Sequence, residues 1–148
     1  MPYIPNARMD RIKDSEDVFT LKYFAEIINS LSFESVTVLD PHSSVSEALI
    51  ERLRIIRPDA YIQDTISKIN SNNLLMFYPD EGAMKRYSGT SNAPYAFGIK
   101  SRDWKTGKIL GLEIMGEKIL IEGSDILIVD DICSRGGTFF YAAKALKE

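Results

Sequence analysis

Ile126-Leu-Ile-Val-Asp-Asp-Ile-Cys-Ser-Arg-Gly-Gly-Thr138 is the stretch on which the fold turns. Its four leading apolar residues, Ile126 to Val129, suit a short strand buried on both faces of a parallel sheet. Asp130 and Asp131 then stand at the carboxyl end of that strand, the edge at which open α/β sheets bind ligands. Gly136 and Gly137 let the backbone turn sharply and bring its N–H groups close to an anion. The spacing predicts a helix from Phe139, with Phe139, Ala142, Ala143 and Leu146 on one face. Its positive N-terminus would point at the same place. Two carboxylates beside an anion cradle suit a sugar that carries a phosphate.

Working outward, the rest of the chain alternates strand and helix. Asp14 or Ser15 is placed to cap a helix with Glu16 and Asp17 in its first turn and an apolar stripe of Val18, Leu21, Phe24, Ala25, Ile28 and Leu31. Val36 to Leu39 reads as a strand ending at Asp40-Pro-His42, and a helix restarts at Ser43 or Ser44 and runs to about Leu53. A helix over 61–69, a strand over 74–78 running into Pro79-Asp80, and a helix from Ala83 follow. Tyr95 to Lys100 reads as a strand, Trp104 to Lys108 as a turn or mobile loop, and Leu112 to Ile121 as a strand interrupted near Gly116. The pattern implies an α/β fold, an open, mainly parallel sheet with helices on both faces. Three strands would then end at polar motifs on one edge: Asp40-Pro-His42, Pro79-Asp80 and Asp130-Asp131.

Composition narrows the class. The chain has 148 residues, the size of one domain, with 45% hydrophobic and 26% charged residues, ordinary for a soluble globular protein. Its net charge of −3 argues against a general nucleic-acid binder, and no apolar run reaches membrane-spanning length. A single cysteine, Cys133, excludes an internal disulfide framework and fits a reducing, cytoplasmic setting.

Asp130-Asp131-Ile-Cys-Ser-Arg-Gly-Gly-Thr138 resembles the ribose-phosphate loop of type I phosphoribosyltransferases and phosphoribosyl pyrophosphate synthases. The resemblance implies that Asp130 and Asp131 hold ribose hydroxyls, and that Ser134, Arg135, Gly136, Gly137 and Thr138 surround the 5-phosphate. Ser134 and Arg135 depart from the aspartate and threonine common in the family. Further segments match the synthase branch in order: Ala7-Arg-Met-Asp-Arg11, with Met9 where glutamine is usual; Leu39-Asp-Pro-His42, with Pro41 as the departure; Pro79-Asp-Glu-Gly82 with Lys85-Arg86; and Lys100-Ser-Arg102.

That branch moves a diphosphate from ATP to ribose 5-phosphate. The resemblance therefore implies Lys100 and Arg102 as catalytic cations, Arg8, Asp10 and Lys85 as ATP contacts, and His42 and Asp80 as ligands around Mg2+. Plainer roles stay open for several of these. His42 and Asp80 are each placed to cap a helix, and Lys85 and Arg86 to form a solvated helix face. Two other functions remain in view: a phosphoribosyltransferase that consumes phosphoribosyl pyrophosphate, and a non-catalytic ribose-phosphate-binding regulatory domain.

The family's length makes the ends informative as an expectation. Residues 1–148 read as one phosphoribosyltransferase-like domain incomplete at both ends, with residues 1–31 corresponding to the end of a preceding half-domain. A fragment, or a domain completed by a partner, is expected to form a homo-oligomer, with no nucleic acid or membrane as partner.

Overall fold

A computed structural model describes residues 1–102, 109–116 and 121–147. The turn expected at Trp104–Lys108 and the stretch 117–120 lie outside the described residues. The chain divides into two compact units, Met1–Pro58 and Asp59–Glu148.

The first unit is an α-β-α-β arrangement behind an irregular segment of residues 1–19. Helix α1 (Thr20–Ser30) buries Leu21 and Ala25 against strand β1 (Val36–Leu39), whose Val36 and Val38 point into the same core. Ile4, Ala7 and Ile50 complete that core, so the first residues are packed rather than trailing. Helix α1 begins well after the expected Asp14 cap. Asp14 instead closes a turn: its Oδ1 accepts from Glu16 N at 3.0 Å, and Asp17 Oδ2 accepts from Lys13 N at 2.9 Å. Such local side-chain bonds compete with a helix for the same backbone donors, and Val18 is left 55% exposed.

The helix expected from Ser43 to Leu53 is also shorter. It is α2 (Val45–Leu49), and Leu53–Ile56 is a second strand, β2, pairing parallel to β1 from Val36↔Leu53 to Leu39↔Ile56. Ile50 is extended and Arg52 has φ +54, which stops the helix between the two elements.

The second unit carries the main sheet, in the order β5-β4-β3-β6. Its elements are α3 (Asp59–Ile69), β3 (Leu74–Tyr78), α4 (Glu81–Tyr87), a 3-10 turn (Ser88–Thr90), β4 (Tyr95–Arg102), β5 (Ile109–Met115), β6 (Asp125–Ile128) and α5 (Gly137–Lys147). Strand β3 is parallel to both β4 and β6, and β4 pairs antiparallel with β5.

Alternation along β3 feeds two cores. Met76 and Tyr78 pack with Ile62, Ala83 and Tyr87 from α3 and α4, while Leu75 and Phe77 pack on Ala96 and on Ala142 of α5. In the same way Leu127 and Val129 face the first cluster, and Ile126 and Ile128 the second. Ile126 to Val129 thus pack toward both cores, but each is half-buried rather than buried as expected, because β6 is the edge strand of a mainly parallel sheet with helices on both faces. The three polar strand ends, however, do not share one sheet: β3 and β6 end together, whereas β1 belongs to the two-stranded sheet of the first unit.

At Gly98, β4 passes close to its neighbours. A Cβ there would lie 2.9 Å from both the Pro79 carbonyl oxygen and the Leu112 side chain. Gly98→Ala should therefore lower stability by about 1–3 kcal/mol through overpacking. An unchanged urea midpoint would contradict this close approach.

Candidate ribose-phosphate and nucleotide site

Strands β3 and β6 pair in register from Leu74↔Asp125 to Phe77↔Ile128. The Val129 N–H then donates to the Phe77 carbonyl at 3.0 Å, carrying the ladder one residue further. Their next residues, Pro79-Asp80 and Asp130-Asp131, consequently leave the sheet at the same edge.

Proline ends β3 because it offers no N–H to a ladder. Asp80 then caps α4, its Oδ1 accepting from the Ala83 N–H at 3.0 Å. The capping role open to Asp80 in the sequence is therefore filled, and α4 starts at Glu81, two residues ahead of the expected Ala83.

Beyond β6, Asp130 Oδ1 accepts from the Asp131 N–H at 3.0 Å, a local turn that fixes the acid pair. Asp131 is held from a second direction, with Arg86 Nη1 2.8 Å from its Oδ2 and its side chain only 11% exposed. The sequence left Arg86 with Lys85 as a candidate solvated face, and helix phase separates them. Lys85 is exposed and pairs with Glu81 at 2.7 Å one turn away, whereas Arg86 turns inward over the Tyr87 ring to reach the acid pair. No local pattern could show a contact between residues 45 positions apart.

Ser134 and Arg135 are exposed in the loop, as is Cys133. Helix α5 starts at Gly137, two residues before the expected Phe139, because Gly136 at φ +73 turns the chain and its carbonyl accepts from Phe140 N at 2.9 Å. That conformation favours glycine. Gly137 and Thr138 therefore lie in the first helical turn, whose free N–H groups and positive dipole end suit a phosphate. Lys100 and Arg102 stand on β4 past Phe97, the residue opposite Tyr78, so their backbone runs beyond the end of β3.

The remaining candidates lie in the first unit. Arg8 is exposed, between buried Ala7 and the turn that leads to α1. His42 is half-buried and follows Asp40, which adopts φ +44 at the end of β1. Asp10 is 8% exposed rather than open to a ligand. Its Oδ1 faces Arg11 Nε at 2.8 Å, and its Oδ2 accepts from Ser43 Oγ at 2.6 Å. Ser43 Oγ in turn accepts from the Val45 N–H at 3.2 Å, at the start of α2. Asp10 thus ties the Arg8 segment to the turn that follows His42. Among the described residues, no three His, Cys, Asp or Glu side chains gather as a metal cage, and no helix is long and apolar enough to cross a membrane.

The ribose-phosphate pyrophosphokinase of Saccharolobus solfataricus is 31% identical over 97% of this chain and 50% of its own length. Ribose-phosphate pyrophosphokinase 2 of Archaeoglobus fulgidus is 30% identical over 99% of the chain and 52% of its own length. Along 97–100% of its length the chain is similar to ribose-phosphate pyrophosphokinases. It spans about half the length of the curated relatives it matches. The fold agrees: phosphoribosylpyrophosphate synthetase from Mycobacterium smegmatis superposes with a TM-score of 0.80 at 19% identity, over 99% of this chain and 47% of that one. No family model matches the chain.

Hydrogen bonds from Arg11, then from Ser43, outweigh burial and lower the Asp10 carboxyl from its ordinary 3.8 to about 2. Because folding lowers this pKa, the stabilisation is complete above pH 3.8 and is lost as the pH falls through about 2. Asp10→Asn should cost about 2 kcal/mol at neutral pH. The gap from the unsubstituted protein should close in acid, and a gap independent of pH in denaturant unfolding would contradict the assignment.

Proposed function

We propose that this chain supplies the ribose 5-phosphate half, and part of the ATP half, of a ribose-phosphate diphosphokinase. The observation that carries the reading is the acid pair Asp130-Asp131 at the end of β6, followed by a glycine turn that opens α5. The similarity to pyrophosphokinases along the whole chain supports it.

In this reading the Asp130 and Asp131 carboxylates accept hydrogen bonds from the ribose hydroxyls. The N–H groups at Gly137 and Thr138, the Thr138 and Ser134 hydroxyls and the Arg135 guanidinium surround the 5-phosphate, with Gly136 making the turn. The sugar's anomeric oxygen then attacks the β-phosphorus of ATP. A bond forms between that oxygen and the phosphorus, the bond to the α-phosphate oxygen breaks, the hydroxyl proton passes to solvent, and AMP leaves. Charge spreads over nonbridging oxygens during transfer, so positioned cations are the main catalytic resource. Lys100 and Arg102, carried by β4, are assigned to that charge.

Arg8 is assigned to the nucleotide, with Asp10 orienting the segment that bears it. Lys85 is kept as an outer ATP contact. Magnesium takes oxygen donors, a carboxylate or two together with waters and substrate phosphates. Asp80 suits it, and His42, a nitrogen donor, suits a triphosphate contact better. When bound, the metal would neutralise phosphate charge. A metabolic enzyme of this kind, with an exposed thiol at Cys133, fits the cytoplasm, and we place its work in a homo-oligomer there.

The test is to incubate the protein, as its own cell makes it, with ATP, Mg2+ and ribose 5-phosphate. Phosphoribosyl pyrophosphate and AMP should appear in equal amounts, and Lys100→Ala should slow their formation by about two to three decades. Pyrophosphate release from phosphoribosyl pyrophosphate and a nucleobase, with no need for ATP, would contradict the reading.

A further inference from the structure

One shielded polar contact in the second unit ties α4 to the loop that follows β6. Arg86 sits in the last turn of α4, and its Nη1 lies 2.8 Å from Asp131 Oδ2. Both side chains are shielded, at 25% and 11% exposure, so this is no loosely solvated surface pair. The arginine is also held where it is. Asp80 caps the front of α4, Tyr87 is buried at its end, and the guanidinium carbon stands 5.7 Å from the Tyr87 ring centre. At the other end of the contact, the Asp131 N–H is bound to Asp130 Oδ1, which fixes the direction of the neighbouring acid.

Two adjacent carboxylates without a cation nearby carry two negative charges and suit a divalent metal as well as a sugar. An arginine on one of them removes one charge and occupies one oxygen, while the carboxylate remains an acceptor for neutral hydroxyls. Arg86 therefore bears on which of two ligand chemistries the pair prefers.

We propose that Arg86 is a positioning residue of the ribose-phosphate site, which orients Asp131 and biases the acid pair toward a sugar diol and against a free divalent cation. This rests on the assignment of the acid pair to ribose. Arg86 acts through Asp131, and Lys85, one residue away on the solvated side of α4, has no part in it.

Two titrations on the same variants test the proposal. Ribose 5-phosphate binding is read by calorimetry, and Mn2+ binding, without sugar, by its enhancement of water proton relaxation. Arg86→Gln should weaken the sugar phosphate roughly tenfold, the size expected for one charge-assisted hydrogen bond. The same change should create an added Mn2+ site that disappears when Asp131→Asn is combined with it. Arg86→Lys, which keeps the charge and loses the fork, should restore the exclusion of Mn2+ with only partial recovery of sugar binding. A merely structural role for Arg86 would not yield a new Asp131-dependent metal site.

Unchanged binding in both titrations would overturn the proposal, and so would weaker sugar binding with no gain of Mn2+. If the unsubstituted protein bound no ribose 5-phosphate, the assignment of the loop would fail, and the Mn2+ titration would still decide the role of Arg86. Circular dichroism of each variant identifies any that does not fold, for which Arg86→Lys supplies the comparison.

Discussion

The parallel pairing of β3 with β6 is the constraint on which the second unit depends. Each strand alternates apolar residues between two cores, so a slip of one residue would turn Met76 and Tyr78 away from α3 and α4. The register that satisfies both cores also decides where the chain leaves the sheet. Pro79 closes one strand and Val129 the other at the same edge. The acidic residues that follow therefore emerge side by side, and each is immediately used: Asp80 to cap α4, Asp130 to close a turn. Capping α4 delivers Arg86 to Asp131. Apolar packing in the sheet thus determines the electrostatics of the loop above it.

The first unit solves a different problem with a buried charge. Its leader has little regular structure, yet Ile4 and Ala7 are inside the core and Asp10 is nearly covered. A carboxylate in that position is tolerated because Arg11 and Ser43 both satisfy it. Burial of the ionised group then becomes a restraint, because breaking either contact would leave a nearly covered charge only partly satisfied. The exposed Arg8 and the turn carrying His42 are held by the same carboxylate.

Much of this was legible in the sequence where a physical signal was strong and local. The apolar runs at Leu74–Tyr78 and Ile126–Val129, each followed by acids, marked the two strands and the edge where they end. The glycines at 136 and 137 marked the turn, though not that the helix would start at Gly137. Strand β2 escaped because Leu53–Ile56 has four residues and follows a helical pattern without an obvious breaker; the break is the extended Ile50 followed by the positive φ of Arg52. The Asp14 turn escaped because a helix cap and an isolated turn use the same residue types. Arg86 was the deeper omission. Its neighbour Lys85 carries the same charge, and only the phase of a seven-residue helix, fixed by tertiary packing, turns one inward and leaves the other in water.

The account stands or falls on where a phosphorylated sugar sits. A crystal structure of the protein soaked with ribose 5-phosphate should place the phosphate against the N–H groups of Gly137 and Thr138, with the ribose hydroxyls on Asp130 and Asp131 and the Arg86–Asp131 pair intact. Sugar phosphate bound elsewhere on the chain, or a loop left empty at saturating ligand, would contradict it.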